Sequence, residues 1–500
     1  MKQNHQIFHT LFSVTGLLLV GKLLGFVKQL IASAAFGTTL ETDILNLSQG
    51  FIGDIQYLLV QSLLTALIPV YIHTREQSED ASHRFAFDVF KAFTLITAVI
   101  CAVTAFCAPW IARLLAPRYD AEASAEVGHW LRIYAPVLLL FMWTAIFNAL
   151  LHANKRFIPG EIININQSLW TIILILLLKD RLGLFSMAAA FLVYPLWNSV
   201  YTMVVSRQYW RISRGNPFRN PAVRRLLRMM GPLLLGYSLV YVNQLVDKML
   251  VSGLAAGSVT ALNYAAVLSN LVGTFITSFA SIFFPYVTER ISQKDDRRAA
   301  ELTSQTAVIL LTVFLPVSVL TALCAKDIVA VVYGRGAFGE ESIRVCAQAL
   351  VGYALMFPPL VLREVYSRYL YGYQDSRRPM VNSSIGILFN IVLSIALCPL
   401  FGVRGVTVAT SVSVLICGCL NLVTARKNHP ALRGSGVVSA LPWLAVGCAA
   451  CGGAAYGVRL LLSGQGSFLR FAAAAAAGFA AYAVAASPLL FRLLREIKHR

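Results

Sequence analysis

Apolar residues fall along this chain in blocks of twenty or more, separated by short polar loops. A helix of about 20 apolar residues crosses the ~30 Å hydrocarbon core of a bilayer. The pattern predicts spans at 8–36, 44–72, 86–114, 127–152, 158–178, 184–206, 225–252, 258–288, 300–325, 342–373, 379–400, 404–425, 436–462 and 467–490. The expected fold class is therefore an all-α polytopic membrane protein with about 14 transmembrane helices.

Polar residues inside these blocks recur at helical spacing. Span 2 places Gly50, Asp54, Tyr57 and Gln61 on one face; span 7 does the same with Tyr237, Tyr241, Gln244 and Lys248. Asn263, Asn270, Thr274, Thr277 and Ser281 form a stripe in span 8, and Lys22, Phe26, Gln29 and Ser33 another in span 1. Lys28 points about a third of a turn away from that last stripe. Ionisable residues inside a membrane are costly and face a partner or a hydrated cavity. Each stripe alone also fits helix–helix hydrogen bonding; four of them together favour a shared cavity. Span 10 carries Arg363, Glu364 and Arg368, with Glu364 and Arg368 spaced to pair on one face. Asp247 beside Lys248, and Asp43 at the far end of span 1, are further gating or ion-pair candidates.

The halves of the chain repeat. Gly21 falls on Gly236, Val27 on Val242 and Gln29 on Gln244, at one constant offset. Ile68-Pro69-Val70 then matches Phe284-Pro285-Tyr286, Asn154 to Pro159 matches Gln374 to Pro379, and Gly183 matches Gly402. An even number of spans between repeats inserts both halves the same way up, as in parallel-repeat transporters that rock around a central site. The expected organisation is an N-terminal lobe over 1–213, a C-terminal lobe over 214–430, and two Ala/Gly-rich spans with a basic tail over 431–500. Lys22 and Lys28 align with Tyr237 and Asn243, so the lysines belong to one lobe only.

Composition supports the membrane reading: 57% of residues are hydrophobic and 13% charged, against about 25% charged in soluble domains. The net charge of +19 sits in short loops, which fits positive-inside topology rather than nucleic-acid binding. The even-numbered loops are the basic ones, from Arg75 and Arg84 through Arg207–Arg228 to Arg426 and Lys427, and the tail adds Arg492, Arg495, Lys498 and Arg500. That bias places both termini in the cytoplasm. The short start runs straight into a full-length span, so no cleavable signal peptide is expected. Cys448 and Cys451 have CxxC spacing, but among small residues of a packed helix they suggest no metal or redox site. No catalytic signature stands out in the loops, so no enzyme, catalytic residue or cofactor is expected.

The segment GKLLGFVKQLIASAAFGTTLETD resembles the first helix of the MurJ/MviN lipid flippases, commonly SRxLGFxRDxxxAxxFGxxxxTDAF. The start of the second half at Gly231, the loop VVYGRGAF and the stretch YGYQDSRRP are also similar to that family. The resemblance implies two six-helix lobes around a V-shaped cavity, plus a two-helix groove for a polyprenyl tail. It implies movement of an undecaprenyl-pyrophosphate-linked glycan, for MurJ the peptidoglycan precursor lipid II, from the cytoplasmic to the outer leaflet. The family's two span-1 arginines fall on Lys22 and Lys28, and its aspartate on Asp43. The headgroup-binding set expected on this basis is Lys22, Lys28, Gln29, Asp54, Gln61, Tyr237, Gln244 and Asn270.

The chain also departs from the family. Gln56 and Gln61 stand where an arginine and an acid are expected, and Ala266 and Val267 replace an Asp-Arg pair. Lysine for arginine gives up bidentate phosphate recognition. Another lipid-linked oligosaccharide therefore stays open as cargo. A small-molecule antiporter of the same superfamily is kept open by Asp54 and Glu364. The expected partners are the lipid-linked glycan and membrane lipids, in a bacterial cytoplasmic (inner) membrane; the sequence is compatible with a monomer and leaves oligomeric state open. Coupling to membrane potential or a monovalent cation is the expected energy source.

Overall fold

The computed structural model describes residues 2–434 and 437–489. The tail arginines and lysine used for topology (Arg492, Arg495, Lys498, Arg500) lie outside the described residues. Among the described residues there is helix and no strand, and fourteen segments are long and apolar enough to cross a membrane. The chain forms two compact units, Met1–Val259 and Thr260–Arg500.

The first unit contains α1 (Lys2–Phe36), α2 (Leu40–Gln77), α3 (Glu79–Leu115), α4 (Ala121–Tyr134), α5 (Val137–Ala153), α6 (Ile158–Leu182), α7 (Phe185–Val205) and α8 (Pro221–Ser252). Polar caps set the starts: the Thr39 and Thr42 side chains form a reciprocal capping box on α2, Ser78 caps α3, Asp120 caps α4 and Asn220 caps α8. One core joins α2, α3, α5 and α8 around Tyr71, Phe85 and Phe147. A second joins α2, α3, α4, α5 and α7 around Ile52, Leu131 and Tyr134. The first helix of the second repeat, α8, thus packs on α2 and α3, so packing and the sequence repeat divide the chain at different points. Helix α1 packs chiefly on α6.

The second unit contains α9 (Ser258–Ser292, whose first two residues belong to the first unit), α10 (Asp296–Leu323), α11 (Ala325–Tyr333), α12 (Glu340–Ala354), α13 (Phe357–Gly372), α14 (Arg377–Phe401), α15 (Val403–Asn428), α16 (Val437–Leu461) and α17 (Ser467–Ala485). Its core runs from α9 and α10 through Phe357 and Tyr366 of α13 to Leu444 of α16 and Tyr482 of α17.

Three details differ from the sequence expectation. Spans 4 and 10 are each two helices, broken at Ala135–Pro136 and at Leu355–Met356. A proline ring clashes with the carbonyl four residues back and brings no N–H; Pro136 stands in one break, and Pro358 follows the other. The short helix α11 intervenes before span 10. The repeat match at Asn154 also shifts by one residue. Lys155 and Gln374 both take left-handed conformations, at φ 59° and 60°. In each, the residue ends a helix with the same paired bonds: Lys155 N to His152 O and Arg156 N to Leu151 O, against Gln374 N to Tyr371 O and Asp375 N to Leu370 O.

Candidate functional site

In the first unit, α2 and α8 bring together the polar stripes of spans 2 and 7. Lys248 donates to the Asp54 carboxylate as an ion pair, both side chains less than a fifth exposed. Gly50, one turn before Asp54, makes room for the ammonium: a Cβ there would stand 3.0 Å from Lys248 Nζ. One turn further, the Tyr57 and Tyr241 rings approach at 5.6 Å between centroids. These groups border an open cavity of about 480 Å³ lined by Gly53, Asp54, Tyr57, Tyr237, Tyr241 and Gln244, with Val240. The expected headgroup residues Asp54, Tyr237 and Gln244 therefore share one wall. Lys248 pairs with Asp54 across the two helices rather than with neighbouring Asp247.

Lys22, Lys28, Gln29 and Gln61 do not line this cavity. Gly21 and Gly25 lie against Asn164, Ile165 and Ser168 of α6. Lys28 follows them at helical spacing, on the seam with α6, and is half-buried; Lys22 is exposed. Among the described residues Lys28 has no hydrogen-bond or ion-pair partner. Gln61 lies two turns, about 10 Å, along α2 from Asp54. Asn270 is an exposed residue of α9 in the second unit, where the neighbouring hydroxyls of Thr274 and Thr277 bond to their own helix backbone.

Asp43 is buried and caps the start of α9. Its carboxylate accepts from the backbone N–H of Gly257 at 2.8 Å and of Val259 at 3.3 Å. Gly257, at φ +86°, lies so close to the Thr38 carbonyl that a Cβ would stand 2.6 Å from it. The buried Tyr119 hydroxyl, in the loop before α4, has no hydrogen-bond partner among the described residues. Burial, and then the nearby Asp43 carboxylate, pushes its pKa above the usual tyrosine range.

In the second unit Glu364 accepts from both Arg363, at 2.8 Å, and Arg368. Arg368 also donates to Ser281 Oγ at 2.9 Å and to the Thr277 carbonyl. The pairing expected for Glu364 and Arg368 is thus present, and it ties α13 to α9. The sequence reading missed a second cluster. Fully buried Asp327 of α11 binds Arg470 Nε at 2.7 Å and Arg459 Nε at 3.1 Å, from the last two helices. An arginine at the edge of an apolar span, as Arg459 near the end of α16 and Arg470 near the start of α17, reads from sequence as an interfacial anchor; the acid lies over 130 residues away. Among the described residues no His/Cys/Asp/Glu cluster is arranged to hold a metal.

A family model described as "Lipid II flippase MurJ" matches residues 32–476. A "Probable lipid II flippase MurJ" of Treponema pallidum (strain Nichols) is 22% identical over 431 residues, covering 83% of this chain and 81% of the relative. That of Rhizobium tropici is 24% identical over 437 residues, covering 83% and 80%. The solved structure "Lipid II flippase MurJ, inward closed conformation" matches with a TM-score of 0.79 at 19% identity, over 96% of this chain and 99% of that one. An inward-facing multidrug resistance MATE transporter of the MOP superfamily shares the fold at a TM-score of 0.66 and 12% identity, over 84% and 98%. With the family model spanning most of the chain and buried charges set within its membrane helices, this is a multi-pass membrane protein that belongs to the MurJ lipid II flippase family.

Proposed function

We propose that the chain moves lipid II from the cytoplasmic to the outer leaflet by alternating access. The observation that carries this is Lys28: a cation in mid-span of a membrane helix, with no partner among the described residues, in a chain of this family. An unpartnered charge within a membrane span is expensive even when half-buried, and a diphosphate bearing the opposite charge offsets that cost. Lys22, six residues earlier and exposed, supplies a second charge for the same anion. In this reading, the Asp54–Lys248 pair is neutral as a unit, so it organises the cavity wall and leaves phosphate recognition to α1. Tyr57, Tyr237, Tyr241 and Gln244 present hydroxyl, amide and ring surfaces suited to sugar or peptide. The protein acts as a transporter without a catalytic group or cofactor, in the bacterial inner membrane with both termini cytoplasmic. Its positive charge couples to membrane potential, worth about 2.3 kcal/mol per charge per 100 mV.

The test is complementation of a strain depleted of its lipid II flippase, with Lys22→Ala, Lys28→Ala and the double variant at matched membrane levels. Loss of lipid II translocation is expected, strongest in the double variant. Unchanged flipping by the double variant removes the phosphate role of α1. Depleting the protein itself identifies the cargo: lipid II accumulates on the inner leaflet if the reading holds, and accumulation of a different lipid-linked glycan overturns it.

A further inference from the structure

A second polar cavity lies in the second unit. It occupies about 840 Å³ at the ends of α14 and α15 and the turn before α14. Its rim carries Arg377, Arg378 and Lys427 against one carboxylate, Asp375, which pairs with Arg378 at 2.9 Å. Among the described residues Arg377 and Lys427 have no hydrogen-bond or ion-pair partner. Asn382, Thr424 and Asn428 add neutral polar groups to the lining.

The repeat shows that the fold alone does not generate this chemistry. Helices α6 and α14 have the same length and a constant offset of 219 residues. At that offset Ile158, Pro159 and Ile163 take the places of Arg377, Arg378 and Asn382. Helix α7 stops at Val205, the counterpart of Thr424, whereas α15 continues to Asn428. That extra turn carries Lys427.

The cavity opens onto apolar surface. Val381 and Val423 are among its lining residues and are 45% and 61% exposed. From Val381, the exposed residues Leu388, Val392 and Ile395 continue along one face of α14; from Val423, Cys419 and Leu415 continue along α15. A cationic cleft at the head of two lipid-facing stripes matches one molecule with an anionic head and apolar chains. We propose that this cleft seats an anionic glycerophospholipid, its phosphate held by Arg377, Arg378 and Lys427 and its acyl chains laid along α14 and α15. The loop-charge bias assigns this end to the cytoplasmic leaflet, where anionic lipids attract such clusters. The site is separate from the proposed cargo contacts on α1 and does not depend on them.

The test uses the purified full chain in detergent, with phosphatidylglycerol titrated and retained lipid counted by native mass spectrometry. Phosphatidylcholine serves as the zwitterionic control. Arg377→Gln/Arg378→Gln/Lys427→Gln is expected to weaken phosphatidylglycerol binding roughly a hundredfold, from about 1 kcal/mol per cation. A triple variant of exposed cations elsewhere, Arg297→Gln/Arg335→Gln/Arg344→Gln, keeps wild-type binding. Millimolar inorganic phosphate leaves the bound lipid in place. Equal loss in both triple variants, no loss in the first, or displacement by phosphate alone would each overturn the proposal. Thermal melting checks that both variants fold; phosphatidylglycerol is expected to raise the melting temperature of the wild type and the control, but not of the cleft variant.

Discussion

Asp54 and Lys248 stand 194 residues apart in sequence and meet inside the first unit. Removing one partner of a buried pair leaves the other charge uncompensated, which costs about 3–5 kcal/mol in dry sites; with both side chains slightly exposed, the effect here belongs at the lower end. Asp54→Ala and Lys248→Ala are each expected to lower the melting temperature and membrane yield, and Asp54→Asn/Lys248→Gln to recover most of the loss. A double variant whose loss equals the sum of the two single losses would show that the two side chains act independently. The sequence made both residues conspicuous, as charges on polar stripes, but gave no means of matching them. Asp247 adjoins Lys248 and looks like its partner along the chain; only the packing of α8 on α2 selects Asp54. Lys28 shows the same limit. Its charge is visible in sequence, while the packing of α1 on α6 that leaves it half-buried is not.

At the scale of elements, most helices were legible, because a bilayer demands about 20 apolar residues and caps such as Ser78 and Asn220 mark their starts. The breaks in spans 4 and 10 were less so: hydropathy runs unbroken through Pro136 and Pro358, although proline chemistry marks both sites. The matched helix ends at Lys155 and Gln374 carry a testable cost. A left-handed residue with a Cβ is about 1 kcal/mol less stable there than glycine. Lys155→Gly and Gln374→Gly are therefore expected to raise the melting temperature slightly, each independently of the other. A fall would mean that these side chains make stabilising contacts exceeding the backbone gain.

At the scale of the whole chain, Asp327 decides how the last two helices are attached. They lie outside the sequence repeat, and their small residues permit close packing: a Cβ on Gly478 would stand 2.7 Å from Leu320. Packing of small residues alone tolerates sliding, whereas a fully buried carboxylate gripping Arg459 and Arg470 fixes register. Asp327→Ala is expected to destabilise the protein by roughly 3 kcal/mol and to expose Cys451, which is fully buried in the intact chain, to a small thiol reagent. Unchanged protection of Cys451 would show that apolar contacts suffice.

The Asp43 cap on α9 also bears on how the molecule is made. The carboxylate and its nearest N–H donor are separated by 214 residues. At ribosomal rates of about 5–20 residues per second, that interval lasts on the order of 10–40 s. For most of it, the α1–α2 hairpin is already synthesised while Asp43, in the first turn of α2, has no Gly257 to bind. The first two helices are therefore born with an open acidic turn, and the arrival of α9 closes it. Asp43 dates the moment at which the turn between the first two helices acquires its long-range polar bond to the start of α9.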